Sequence, residues 1–356
     1  MRHIGVFLFL ALPLFAQDSL FFYHGYSYGT EAQYNPLSVI MNGSFDILQV
    51  SNRNNAVFKL RIAAGAENVF RNITHPSERI SQYGTRRFWT TEVFPTSLQL
   101  KNTQYWPNYK LHLIGGGMTY IGIAEWYQLH GYEYPKTLSL ITMAAYHYLN
   151  EAVENNDYVG PTVDPIADLL IFDPAGILLF SIDGAAKFFS KTLNGADWSN
   201  QPLINFPEKT LLNNGQNFSF KIPLPFVNSR WKILYITGIE GVVGLSYTIN
   251  QTDCISVGGG LSTRELVEVE NSTGVRTLTA SLIYTGGIYY DRNNSLLASL
   301  VLGGARGYIA KANIYPGIFH LGPISPGIVL LWQKNHTLSF GIAATFSPVG
   351  LAYSLH

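Results

Sequence analysis

The 356-residue sequence predicts an α+β fold: a bundle or plug of helices followed by an antiparallel membrane β-barrel of about eight to ten strands. Three observations carry this. Charged residues make up only 13% of the chain, against about 25% in an ordinary soluble domain. A surface that faces lipid accounts for the shortage. From Gln216 onward the hydrophobic period changes to two, the period of strands. The polar face of those strands is Ser, Thr and Gly, with few charges. Small residues suit the crowded interior of a narrow barrel and make a poor solvent coat.

The N-terminus reads as a secretory signal over residues 1–16. Arg2 and His3 precede an apolar core from Ile4 to Phe15, and Ala16 supplies the small residue at the cut. No cysteine follows that cut, which excludes a lipoprotein. Residues 17–214 then read as a mainly helical domain. Asn35-Pro36 opens a helix over residues 37–50 with Asn35 as its cap, and a second helix is expected over 56–72. Residues 73–108 read as short helices and loops carrying Phe88, Trp89, Tyr105 and Trp106.

The central stretch, residues 110–190, is apolar, reads as helix, and still carries His112, His147, Glu151, Glu154, Asp164, Asp168 and Asp173. Leu111, Gly115, Met118, Gly122 and Trp126 recur at helical spacing. Gly115-Gly116-Gly117 weakens a helix by about 1 kcal/mol per glycine, so a close approach by another backbone or a ligand is expected there. Pro135 fits the first turn of a second helix ending near Asn155. A third helix is expected from Asp164, as N-cap, with Asp173-Pro174 interrupting it. Acidic residues break every window of about 20 apolar residues that a membrane-spanning helix requires. These helices are therefore expected to pack on protein. Residues 190–214 read as a polar linker.

Residues 215–356 read as the barrel. Phe218, Phe220 and Ile222 alternate with Asn217, Ser219 and Lys221, and similar alternation runs through 243–249, 254–262, 277–285 and 337–346. Short polar turns recur at Asn250-Gln251-Thr252-Asp253, Asp291-Arg292-Asn293-Asn294 and Lys334-Asn335-His336. Uniform strands with short turns match outer-membrane barrels. Leu282, Tyr284, Phe340 and Ile342 are expected to face lipid, and Thr279, Ser281, Ser339 and Thr345 the lumen. Tyr247, Tyr289, Tyr290, Tyr315, Trp332 and Tyr353 are expected as aromatic girdles.

Lys plus Arg equals Asp plus Glu, 23 of each, so no field draws nucleic acid. The single cysteine, Cys254, excludes an internal disulfide and a Cys-based zinc site. No Gly-x-Ser-x-Gly and no phosphate loop is present. The candidate polar cluster is His112, His147, Glu151, Asp164 and Asp168. His147 and Glu151, four apart, share a helix face, and His with carboxylates suits Zn, Mn or Fe. A purely structural set of mutually satisfied polar residues is the simpler reading, because His-x-x-x-Glu alone is a weak motif. Either way, an unpaired buried carboxylate is strongly disfavoured. Glu151 and Asp168 are therefore expected to meet, with His112 as their donor. The sequence identifies no cofactor. Membrane lipid is the expected partner, with room for a small-molecule or lipid ligand.

Several motifs carry a resemblance: Asn35-Pro36-Leu37, Trp106-Pro107-Asn108-Tyr109 leading to His112 and the glycines, Asn150-Glu151, and Asp164-Pro165-Ile166-Ala167-Asp168. Over residues 35–250 the chain resembles outer-membrane proteins of Bacteroidetes-type bacteria that join a helical N-terminal part to a β-barrel. The resemblance implies an outer-membrane location and this architecture, and no activity. The order His, Glu, Asp pair also resembles VanZ-like helical envelope proteins, but the Arg those carry before the last Asp is absent here. Three functions stay open: transport or envelope scaffolding in the outer membrane, a membrane-embedded hydrolase or lipid-modifying enzyme, and a secreted soluble barrel that binds an apolar ligand.

Overall fold

The structure, a computed structural model, describes residues 20–97, 105–225, 229–270, 274–345 and 347–356. The expected signal segment lies outside the described residues. The helical part comprises α1 (Pro36–Gly43), α2 (Ile62–Thr74), α3 (Pro76–Tyr83), α4 (Thr85–Phe88), α5 (Tyr105–Pro107), α6 (Gly116–Leu129), α7 (Pro135–Asn155), α8 (Asp164–Ala167), α9 (Asp173–Phe180) and α10 (Asp183–Lys187). Wider π-helical turns at Trp89–Val93, Asn108–Gly115, Asp168–Phe172 and Phe188–Thr192 join several of these.

Local chemistry explains the helix starts. The Asn35 side chain accepts the N–H groups of Leu37 and Ser38 at 3.1 and 2.9 Å, and the Ser38 hydroxyl accepts the Asn35 N–H at 3.0 Å. This reciprocal cap fixes the start of α1. Pro135 opens α7, whose span is the one the spacing predicts. Other boundaries differ. The helix expected over 37–50 stops at Gly43, followed by a 3-10 turn, Asp46–Gln49; the one expected from residue 56 begins at Ile62. Asp164 is the first helical residue of α8, not its cap: the cap is Val163, with no side-chain cap hydrogen bond. Asp173 does not interrupt the third helix. The π turn at Asp168–Phe172 absorbs the irregularity, and Pro174 falls in the first turn of α9, where its missing N–H costs nothing.

The glycines are sites of close approach. A Cβ on Gly117 would lie 2.1 Å from the Phe180 ring. A Cβ on Gly176 would lie 2.6 and 2.8 Å from the Leu113 and His112 carbonyl oxygens. These contacts seat α9 against α6 and the π turn that precedes it.

The strands are β1 (Ala196–Asp197), β2 (Leu203–Asn205), β3 (Thr210–Leu212), β4 (Asn217–Pro223), β5 (Trp231–Gly238), β6 (Glu240–Thr248), β7 (Asp253–Glu270), β8 (Arg276–Arg292), β9 (Ser295–Gly303), β10 (Tyr308–Ile314), β11 (Gly327–Gln333), β12 (Leu338–Ala343) and β13 (Gly350–Leu355). They form one curled mixed sheet in the order β1-β4-β5-β6-β7-β8-β9-β10-β11-β12-β13-β2-β3. β4 to β13 are an antiparallel meander, whereas β13 pairs with β2 in parallel. The sheet is therefore not the wholly antiparallel one expected. The residues read as a polar linker carry β1–β3. They also span the two sides of the meander: the Trp198 N–H donates to the Asn217 carbonyl and the Gly350 N–H to the Pro202 carbonyl, both at 2.8 Å. Asn293 and Asn294 both have positive φ, the type I′ geometry that favours a two-residue hairpin.

The curl brings non-neighbouring strands face to face. Lys221 on β4 pairs with Asp291 on β8 at 2.5 Å, and Lys311 on β10 pairs with Glu240 on β6. All four side chains are buried. Trp198, Leu234, Ile236, Val242, Tyr289, Leu296, Val301 and Tyr315 form one cluster on this concave side. The opposite face is apolar and exposed. Along β12, Leu338, Phe340 and Ile342 are exposed while Ser339, Gly341 and Ala343 are buried. Leu282 and Tyr284 are likewise exposed, Tyr284 at 84%. Some expectations change. Thr345 is exposed in a turn beyond β12. Tyr289 and Tyr315, expected in an aromatic girdle, are buried in the concave cluster, because their positions in the alternation point inward.

The helices do not plug the sheet. Ser219 and Lys221 of β4 take the concave side; Phe218 and Phe220, on the other face, pack with Met118, Ile121, Met143 and Phe180 of the helices. The helical domain thus lies against the convex face of β4. Arg306, in the β9–β10 turn, donates to the Val50 and Arg53 carbonyls at 3.1 Å each and ties the strand ends in the middle of the sheet to the turns after α1. Among the described residues no single helix is long and apolar enough to cross a membrane. One pair, Asp164–Phe180 with Asp183–Thr192, meets the length and composition together across an 83° bend.

Candidate functional site

Three helical segments converge on a buried polar centre. His112 comes from the π turn before α6, His147 from α7, and Asp173 from the start of α9. The wider π geometry matters. Asp168 and Asp173 are five apart, which an α-helix places on different faces, whereas a π turn hydrogen-bonds i to i+5 and brings them to one side.

Asp173 is the hub. Its Oδ1 lies 2.9 Å from His112 Nδ1 and 3.3 Å from His147 Nδ1. The two imidazole rings are 5.3 Å apart, centre to centre. On its other side, His112 Nε2 lies 3.5 Å from Asp168 Oδ2. Glu151 sits behind Asp168; the charge of Asp168 raises the proton affinity of Glu151, while the hydrogen bond between them works in the opposite direction on Asp168. Several buried atoms here make no hydrogen bond: both ring nitrogens of His147, Oδ2 of Asp173, Oδ1 of Asp168 and Oε2 of Glu151. Each such group costs about 1–3 kcal/mol when left unsatisfied, so their convergence is unusual for a purely structural core.

Electrostatics divide the cluster. Burial pulls His147 down to about 4, so its ring is neutral at pH 7. Burial works against a charged His112 too, but the charge and hydrogen bond of Asp173 outweigh it and hold His112 above its ordinary value. Burial, then the neighbouring carboxylates, push Glu151 and Asp168 well above the usual carboxylate range.

A cavity of about 210 Å³ opens beside this centre, between the helices and the sheet. His112 and Asp168 reach its wall, with Asp46, Glu92, Glu154 and Asp164; Gln216, Thr263 and Ala280 line the sheet side. Burial and the charge of Glu154 push Asp46 up to about 7. Burial also raises Glu92 to about 7, although the Tyr83 hydroxyl donates to it at 2.8 Å.

The sequence-derived set is thus partly gathered. His112, His147 and Asp168 come together with Glu151 behind Asp168; His112 meets Asp168 and Asp173, while Oε2 of Glu151 is left without a partner. Asp164 stands apart on the cavity wall. Asp173, the residue touching both histidines, is one of the polar residues of the central stretch but stands outside the candidate cluster, where the spacing reads it as a helix interruption. The signal that could have marked it is the Asp-x-x-x-x-Asp spacing, and that becomes informative only once a π turn is in place.

The chain matches no protein-family model, no curated protein and no solved structure.

Proposed function

We propose that the chain is an outer-membrane-type barrel protein of a bacterial envelope, in which the curled sheet lies in lipid and anchors the helical domain packed against β4 as a scaffold. The observation that carries this reading is the face chemistry of the sheet. Its convex side exposes Val243, Leu245, Val257, Leu300, Leu302, Leu330, Trp332, Phe340, Ile342, Leu351 and Tyr353, each at least 43% exposed. Its concave side buries two Lys–carboxylate pairs. A soluble sandwich arranges these the other way, and so large an apolar surface marks an interaction with lipid or protein. The filled concave side favours an anchor over an open channel. The secreted soluble barrel gains no support from these faces. A membrane-embedded hydrolase or lipid-modifying enzyme remains the second reading, favoured by the cavity that reaches His112 and Asp168.

Placing Arg on the outward face separates the readings. Ser339 is unsuitable as the inward control because it is packed against Ser354 at 2.8 Å; the turn residue Thr345 serves instead. In lipid, Phe340→Arg should cost about 2–4 kcal/mol and strip folded protein from the membrane fraction, while Thr345→Arg is tolerated. Recovery of the wild type in the soluble fraction, or a Phe340→Arg protein that folds and dissolves better, would overturn the membrane reading.

A further inference from the structure

We infer that His112, His147 and Asp173 form a binding site for a divalent first-row transition metal, with Asp168 as the carboxylate that orients His112. The inference concerns the helical domain alone and does not depend on whether the sheet lies in lipid.

Geometry carries it. The ligand atoms of the three residues all lie within 4.8 Å of one another. Metal bonds of about 2.0–2.1 Å in a tetrahedral arrangement place neighbouring ligand atoms about 3.3–3.4 Å apart. The distances from Asp173 Oδ1 to the two Nδ1 atoms, 2.9 and 3.3 Å, lie near that spacing. An ion bound between them needs little rearrangement of the three side chains.

The independent observation is the set of atoms left without partners. His147 is 3% exposed, and neither of its ring nitrogens makes a hydrogen bond. A structural core histidine normally satisfies at least one. An unpartnered imidazole nitrogen 3.3 Å from a carboxylate oxygen, on a ring 5.3 Å from a second imidazole, has the donor chemistry of a metal ligand. Asp168 completes the pattern. It sits at Nε2 of His112, on the far side of the ring from Asp173. Metal-bound histidines commonly present their second nitrogen to a carboxylate, which fixes the tautomer and the ring plane.

Two histidines and one carboxylate are three protein ligands, the number of a site that keeps a position open. The adjoining cavity reaches His112 and Asp168 at the edge of the site. The absence of any cysteine near the site selects nitrogen and oxygen ligands, suited to Zn²⁺, Mn²⁺ or Fe²⁺ and not to a thiolate cluster.

The test uses the purified full chain, stripped with chelator and then exposed to Co²⁺ alone. Tetrahedral Co²⁺ gives a visible absorption band that adventitious surface binding does not. The wild type should take up about one equivalent with that band, and Zn²⁺ should displace it. His147→Gln and Asp173→Asn should abolish the band, Asp168→Asn should weaken binding about 10–100-fold, and His130→Gln, at the exposed histidine that follows α6, should leave it unchanged. A wild type with no band, or a His147→Gln protein that keeps it, overturns the inference. Should His147→Gln or Asp173→Asn fail to fold, the wild-type stoichiometry and the Asp168→Asn shift decide the matter, since an unchanged affinity in Asp168→Asn removes its orienting role.

Discussion

At the scale of single residues, the contacts that matter most are buried charges. Lys221 and Asp291 are both at 0% exposure and meet at 2.5 Å across the concave face. Taking two ions out of water is expensive, and the pair survives only because each compensates the other. Removing one partner leaves an uncompensated charge. Asp291→Asn should therefore destabilise the folded chain by about 3–5 kcal/mol, whereas the double change Lys221→Met with Asp291→Leu should cost much less. Urea unfolding in detergent micelles measures both. Equal losses would mean that the pair contributes packing volume and little electrostatics. The same logic governs Glu125, which accepts N–H groups from Phe21, Phe22 and Tyr23 at 2.6, 2.9 and 2.8 Å and pins the N-terminal segment to α6.

At the scale of elements, the polar centre depends on how closely the helices approach. Gly176 lets α9 rest on the carbonyls of His112 and Leu113. A methyl group there meets backbone and not a flexible side-chain end, so the helices must separate. Gly176→Ala should destabilise the protein by about 1–3 kcal/mol, the usual cost of overpacking. Because Asp173 and Gly176 share one short helix, the change should also move Asp173 away from the two histidines and weaken Co²⁺ uptake. A melt and a Co²⁺ titration on the same sample check this. Lower stability with unaltered uptake would show that the centre does not depend on the seating of α9. The π turns are part of the same design: they rotate His112 and bring Asp168 into line with Asp173 at the cost of poorer backbone hydrogen-bond geometry.

At the scale of the whole molecule, the sheet is a wall with a filled inner side. Two ion pairs, Trp198, Tyr289 and Tyr315 occupy the concave space, and residues 196–205 lie along both β4 and β13. Water-filled conduction requires an open polar path, and among the described residues these side chains pack into the concave space. Reconstituted in planar bilayers, the purified protein should give no steady open-channel conductance. A stable, ion-selective conductance would overturn the scaffold reading and restore transport. The helical domain packs on Phe218 and Phe220, and its cavity lies between α-helical and β-sheet walls.

The sequence determined what depends on near neighbours. Period-two alternation from Gln216 fixed which residues share a face, because successive side chains on a strand point to opposite sides whatever the sheet does next. Asn35 with Ser38, and Pro135, fixed the starts of α1 and α7 through hydrogen bonds and backbone limits that span a few residues. The scarcity of cations near the central acids left histidine as the available donor, and Asp168 and Asp173 meet one. What the sequence left open needed distance. The short strands β1–β3 carry too few residues to show a period, and only their pairing with β4 and β13 makes them strands. The placement of the helices outside β4 follows from both faces of that strand being covered, which alternation alone does not reveal. Asp173 joined His112 and His147 only through a π turn, whose register shift is set by packing between helices and not by the local sequence.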